Sequence, residues 1–359
     1  MVSTKFTSKE IDALPTILDV VERISAFENK SFLQSISDIP SYSYYDEGRF
    51  CYVSNEKNRS IVNLMPTSQT THRYYRGQSR YYDPCYPNLY RKKASGEYPS
   101  DVDIASDRIQ TCEFASLLIT HPVFNEVRHN IQTDAVALAQ HYGLKTEYLD
   151  ITNNKWVAAF FASTSYDKDT ESYHPVGRDY KEGYGVMYIS KSFDTGQLTE
   201  EFYEKNDVIG YQYFDRPSKQ SSFGYKLDKG EDFNASPYFD QVFFRHDLEA
   251  STIVYDMAYR QNRFIPNDEL SKLARQIFES KEVTRNALNN CWGLFYKDKS
   301  PAFLDEVCKS KKWRIREDNT PIAQFSEEVL AEDWKRWIEF GREDLKSRII
   351  PSRIVAYLP

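Results

Sequence analysis

At 359 residues, with 40% hydrophobic and 28% charged side chains, the chain has the make-up of a soluble globular protein long enough for one elaborated domain or two small ones. No uncharged apolar run is long enough for a bilayer span, and 46 basic against 53 acidic residues give no overall field for gripping a phosphate backbone. Five cysteines, at 51, 85, 112, 291 and 308, show no C-x-x-C spacing and are odd in number; they read as buried thiols rather than a disulfide framework or a zinc site.

The N-terminal stretch "MVSTKFTSKEIDALPTILDVVERISAF" carries acidic residues early and no apolar core before a cleavage site, so a cytoplasmic location is expected. Residues 8–27 place Ile11, Leu14, Leu18, Val21 and Ile24 on one helical face, with Ser8 as N-cap and Pro15 as a weak point. Two or three strands with polar turns are expected over 41–75, leading into "THRYYRGQ", a strand ending at Gly77. The clusters "YSYY", "RYYRGQSRYY" and "YQYF" fit strand packing with phenolic groups at the rim.

One or two helices are expected over 103–131, and a short one over 134–142 ended by Gly143. Thr152 or Asn153 then caps a helix carrying Trp156, Val157, Ala159, Phe160 and Ala162. "GYGVMYIS" at 183–190 is a strand, and 191–240, rich in Gly, Ser, Asp and Lys, is expected to form long loops. The remainder is mainly helical: Asn267 caps one helix, Ser326 another that carries Leu330, Trp334, Trp337, Ile338 and Leu345, and "SRIIPSRIVAYL" closes as a strand. Domain organisation follows as 1–69 (helix and strands), 70–190 (the central domain) and 191–359 (loop-rich, then mainly helical, packed on the central domain). The fold class is α+β, a mixed or antiparallel sheet with flanking helices and a helical C-terminal region.

No Walker, G-x-G-x-x-G, H-E-x-x-H or G-x-S-x-G pattern is present, so P-loop kinases, Rossmann dehydrogenases, zincins and α/β-hydrolases recede. Two polar clusters remain. In "YYRGQ", Arg76 offers a guanidinium fork beside Gly77, where backbone can approach a ligand, which suits a diphosphate or ribose hydroxyl. An ordinary ion pair and turn explain the same residues. In "AQHYGLKTEYLDITNNKWVAAFFAS" at 139–163, Gln140 and His141 end one helix while Asp150 and Thr152 precede the next. Caps and turns account for them as well as a sugar-binding corner does.

"YRGQ" at 75–78 and the later "ALAQHYGLKTEYLDITNNKWVAAFFA" resemble the FRG domain family. Gln140, His141, Tyr142, Gly143, Thr146, Leu149, Asp150, Thr152, Ala158, Phe161 and Ala162 fall on its second motif, over about residues 70–190. The chain departs from the family's usual Pro, Arg, Leu and Trp at Lys145, Glu147, Tyr148 and Ile151. "CWGLF" at 291–295 is similar to a family Q-x-G-x-F element with Cys291 in place of Gln. The layout is similar to ADP-ribosyltransferase folds, which implies NAD held as substrate in a cleft and no metal. By that resemblance Arg76, Gly77, Gln78, Tyr142 and Thr152 contact the dinucleotide, and Arg76, His141, Asp150 and Thr152 form the reacting corner.

Such chemistry needs a carboxylate that neither the residues nor the resemblance identifies; Asp150 is the candidate within the motif, and Glu249 in the third part a second. The resemblance points to an NAD-consuming enzyme, a transferase or glycohydrolase of the toxin or phage-defence kind. It implies a nucleotide ligand, a protein or nucleic-acid acceptor and no membrane. Two other classes stay open: a nucleotide or nucleic-acid hydrolase using His141 and Asp150 as a general-base pair, and a non-catalytic nucleotide-sensing or protein-interaction module.

Overall fold

A computed structural model describes residues 6–35, 50–54, 62–66, 73–167, 169–191, 200–209, 213–258, 264–265 and 268–350. The chain opens with helices α1 (Ser8–Asp12) and α2 (Ile17–Ser35) and strands β1 (Phe50–Ser54), β2 (Val62–Pro66) and β3 (Tyr75–Gln78). Helices α3 (Asp101–Thr120), α4 (Pro122–Val127) and α5 (Ala135–His141) lead to β4 (Tyr148–Thr152), α6 (Lys155–Ser163), β5 (Thr164–Asp167), β6 (Ser172–Pro175) and β7 (Tyr184–Ser190). Next come α7 (Glu200–Lys205), β8 (Asn206–Val208), α8 (Asp215–Lys219), β9 (Ser222–Lys226), β10 (Phe239–Arg245) and α9 (Leu248–Ala258). The C-terminal part holds α10 (Glu269–Glu279), β11 (Glu282–Thr284), α11 (Arg285–Phe295), α12 (Ala302–Lys311), β12 (Arg314–Arg316), α13 (Glu327–Arg336), α14 (Arg342–Arg348) and β13 (Ile349–Ile350).

The fold is α+β. Six strands form one antiparallel sheet in the order β10-β7-β3-β4-β9-β8. Tyr75, Met187 and Phe244 point to the face covered by α2, α6 and α9, against Val20, Val21, Val157, Phe160 and Val254. Leu149, Ile151, Val186, Tyr188 and Phe223 point to the opposite face, where Phe202, Phe233 and Phe239 cover them. Each fully buried large apolar side chain contributes about 1.5–3 kcal/mol. The α3 helix is buried nearly all round, by α5 and α10 on one side and by α11 and α12 on another.

Local chemistry sets the element boundaries. The expected 8–27 helix is two helices. Thr7, rather than Ser8, caps α1 in a capping box with Glu10, and the chain breaks at Pro15, which has no amide proton to continue the ladder. Thr16 then takes the same role for α2, accepting from the Asp19 amide at 3.3 Å while Asp19 accepts from the Thr16 amide at 2.7 Å. Asp134 caps α5 and Gly143 leaves it at φ +84°, as a residue without Cβ can.

Three other expectations are corrected. The cap of α6 is Asn154, whose side chain accepts from the Trp156 amide at 2.9 Å, because Thr152 is still inside β4. Gln78 rather than Gly77 ends β3. Residues 191–240 are not simply loops: β9 pairs along its whole length with β4, inside the main sheet. Asn267 lies outside the described residues, and Asp268 caps α10. Ser326 caps α13 as expected. Much of 41–75, and the closing segment beyond Ile350, also lie outside the described residues.

Candidate functional site

The site is built where the sheet ladder fails. Strands β3 and β4 share one registered pair, Tyr75 with Thr152. Beyond it the Asp150 carbonyl, instead of meeting β3 backbone, accepts a hydrogen bond from the Arg76 guanidinium at 2.6 Å. Arg76 is directly opposite Tyr188 across the β3–β7 ladder, so its side chain leaves the face that carries Val186 and Tyr188. No carboxylate among the described residues forms an ion pair with it, and its Nε is buried without a hydrogen-bond partner.

Strand alternation puts Asp150 and Thr152 on the other face, with Tyr148. Arg76 and the Asp150–Thr152 side chains therefore do not share one face; they meet through the Asp150 residue itself, whose carbonyl goes to Arg76 and whose carboxyl goes to His141. His141 ends α5 with its ring enclosed, its side chain 3% exposed, and Nε2 lies 3.3 Å from Asp150 Oδ1. The Asp150 side chain is 41% exposed and is the part of this corner that solvent reaches.

The tautomer of His141 follows from its neighbours. Gln220 donates through Nε2 to the Phe264 carbonyl at 2.9 Å, which fixes its amide and leaves Oε1 to accept from His141 Nδ1 at 3.1 Å. Burial pushes the His141 ring below its ordinary value of 6.5, outweighing the opposing pull of Asp150. At neutral pH its Nε2 is therefore a lone pair beside a carboxylate oxygen. Both Nε2 and Oδ1 are buried and neither makes a hydrogen bond.

The other expected site residues are occupied by the fold. Thr152 donates to the Gln220 carbonyl at 2.6 Å and accepts from the Asn154 amide at 2.9 Å. Tyr142 donates to Asp268 at 2.9 Å, with the Arg216 guanidinium over its ring at 5.1 Å. Gln78 is buried and accepts from the Cys85 thiol at 3.5 Å. Gly77 is required by packing: a Cβ there would run into the Ala158 carbonyl of α6. Gln140 accepts from Thr146 at 3.0 Å. Glu249 is exposed in the first turn of α9. Glu147, the reversed charge in the motif, is buried near Arg108, whose value it raises against the lowering effect of burial. Cys291 is buried in α11 among the residues of α3 and α12.

One element of the site was not read from the sequence: Gln220, which orients His141 and carries no motif signal. Among the described residues no group of three His, Cys, Asp or Glu is placed to hold a metal ion, and no helix is long and apolar enough to cross a membrane.

The polar chain from Arg76 through Asp150 to His141 runs between the two motifs read in the sequence, and residues 71–171 match the family model of the FRG domain. The chain carries an FRG domain. The matched segment begins just before β3 and runs through β5, so it holds Arg76, His141 and Asp150 together with α3, α5 and α6. Partners of the FRG segment from outside it include β7, β9 and Gln220. No curated protein and no solved structure matches the chain.

Proposed function

We propose that the FRG domain is an NAD-consuming, ADP-ribosyltransferase-like site in which Arg76 holds the dinucleotide diphosphate and Asp150 faces the ribose. The observation that carries this reading is the Arg76–Asp150–His141 chain: a guanidinium with no carboxylate partner among the described residues, tied through a main-chain carbonyl to the residue whose part-exposed carboxyl lies 3.3 Å from an enclosed imidazole. Glycosidic cleavage of NAD needs an anion site and a carboxylate; here they lie on the two faces of the opened ladder, joined through the Asp150 main chain, so the reading requires a ligand that runs past the ladder's opening. The C1′–N bond breaks, nicotinamide leaves with the electron pair, and the ribose carbon takes on cationic character beside Asp150. Water or an acceptor nucleophile then attacks C1′ and gives up its proton.

Each residue has a separate part. Arg76 fixes the ligand through its fork. Asp150 stabilises the developing cation and can accept the proton of the attacking group. His141 does not reach substrate with its ring enclosed, which weighs against a hydrolase in which His141 is itself the general base. Thr152, Tyr142, Gly77 and Gln78 support the wall through packing and internal hydrogen bonds. Consumption of NAD suits a toxin or phage-defence effector, with a protein, a nucleic acid or water as acceptor.

A sensing module is the second reading. It draws on the internal use of Thr152 and Gln78, which leaves few reactive groups besides Asp150. Nicotinamide release from NAD separates the two: turnover in the wild type and its loss in Arg76→Ala is the expected result. A sensor gives a raised melting temperature with NAD intact. Turnover indifferent to Arg76→Ala removes the proposal.

A further inference from the structure

Helix α8 and the residue after it lie outside the matched FRG residues yet grip His141 twice. Arg216 donates through Nη1 to the His141 carbonyl at 3.1 Å and through Nη2 to Ser271 Oγ at 2.8 Å, which ties the end of α5 to α10. One turn later the buried Gln220 meets the ring, its Oε1 accepting from Nδ1 at 3.1 Å. Gln220 is held at each of its other polar atoms. Nε2 donates to the Phe264 carbonyl at 2.9 Å, the main-chain carbonyl accepts from Thr152 Oγ1 at 2.6 Å, and the main-chain amide donates to the Arg216 carbonyl at 3.1 Å. A flipped side-chain amide would set Oε1 against the Phe264 carbonyl, two acceptors face to face, so the amide has one orientation.

With the ring proton fixed on Nδ1, a bare Nε2 faces Asp150 Oδ1 at 3.3 Å. The other tautomer would place an N–H there and favour the carboxylate; the one that Gln220 selects offers an acceptor instead. The charged groups that face His141 are Asp150 and Arg216, and Arg216 is spent on the carbonyl, so nothing competes for Nε2. We infer that Gln220 is a positioning residue: by holding His141 in its Nδ1–H form it keeps an acceptor behind Asp150 for the proton that Asp150 takes up. This deepens the proposed function and rests on it for the source of that proton. The attacking water or acceptor gives its proton to the Asp150 carboxylate, the neutral carboxyl donates its O–H to Nε2, and the contact tightens as it forms. The proton then returns to solvent from the exposed side of Asp150.

Nitrogen-15 NMR of the full chain with labelled histidine reads the tautomer directly, the His141 signals being identified by their loss in His141→Gln. At neutral pH the wild-type ring is expected to carry its proton on Nδ1 with Nε2 bare. Gln220→Met, of similar length but without an acceptor, is expected to move the proton toward Nε2, and Gln220→Glu, which keeps an oxygen in reach, to retain the wild-type form. A wild-type ring protonated on Nε2 overturns the inference with no variant needed, and so does Gln220→Met that folds with the wild-type tautomer. In nicotinamide release Gln220→Met is expected to lower kcat about tenfold, the contribution of one hydrogen bond, with KM unchanged; wild-type kcat in a variant whose tautomer has changed overturns the role given to Nε2. A tautomer that depends on Gln220, in a protein that releases no nicotinamide, keeps Gln220 as the residue that sets the ring and removes the transferase reading.

Discussion

Arg76 donates to the main-chain carbonyl of Asp150 at 2.6 Å and, among the described residues, to no carboxylate. A guanidinium satisfied by a neutral acceptor keeps its charge available, whereas one locked in an internal ion pair does not. The same Asp150 residue carries the only side chain of the corner made with His141 that solvent reaches readily. One backbone carbonyl thus couples the two faces of the sheet at the point where its ladder opens.

Gly77→Ala is expected to destabilise the fold by about 3 kcal/mol or more, beyond the usual range of overpacking. The added methyl meets the Ala158 carbonyl and the Ala162 side chain, and neither can move without shifting α6 off β3. Thermal melting checks this; a melting temperature equal to the wild type shows that the close approach is not needed.

Glu28 is buried between Tyr75 and Lys155 and hydrogen-bonds both, which ties α2 to the sheet and to the first turn of α6. Glu28→Gln removes the charge while Lys155 keeps its own. The expected cost is about 2–4 kcal/mol, below the full value for a buried pair because Lys155 still touches water. Tyr75→Phe costs about 1–3 kcal/mol, since the ion pair remains. Urea denaturation of both variants measures the order, and Tyr75→Phe proving the more damaging contradicts this account.

His141 is expected to influence Asp150 by contact and local polarity, since its neutral Nε2 donates no hydrogen bond to the carboxyl. His141→Gln should lower kcat for nicotinamide release by roughly 10- to 100-fold with little change in KM, and it should change the acidic limb of the pH–rate profile. Equal effects on KM and kcat with an unaltered profile indicate a general structural role instead.

Burial pushes His246 down to about 4 from 6.5, against the pull of its bond to the Ser79 carbonyl. The unfolded chain therefore binds this proton first as pH falls. Stability is unaffected above about pH 6.5, declines as pH drops from there and levels off near pH 4, for a total on the order of 3 kcal/mol. His141 shifts in the same direction and adds to the slope. Denaturation curves between pH 7 and 4 should be flatter for His246→Gln than for the wild type; an identical slope contradicts the assignment.

Much of this fold was legible in the residues because the signals were local. Gly143 and Ser326 mark helix ends by hydrogen-bonding and φ preferences that act within a few positions. The family resemblance also fell on the right stretch. What escaped was set by distant partners. "SFGYK" at 222–226 does alternate, but it is short and set in a stretch rich in Gly, Ser, Asp and Lys, and its pairing with β4 is what makes it a strand. Asp150 looked like a turn residue because Thr152, Asn153 and Asn154 are all cap formers; the sheet extends β4 through Thr152 and leaves the cap to Asn154. Gly77 was read for ligand approach, whereas α6 is what comes close.

Nicotinamide release by Asp150→Asn is the most direct test of the central claim. The substitution keeps size and hydrogen-bonding shape and removes the charge that would face the ribose. A fall in kcat of roughly 10²–10³-fold, with folding retained, is the predicted result. Wild-type protein that leaves NAD intact, or an Asn variant that turns it over at the wild-type rate, contradicts the account.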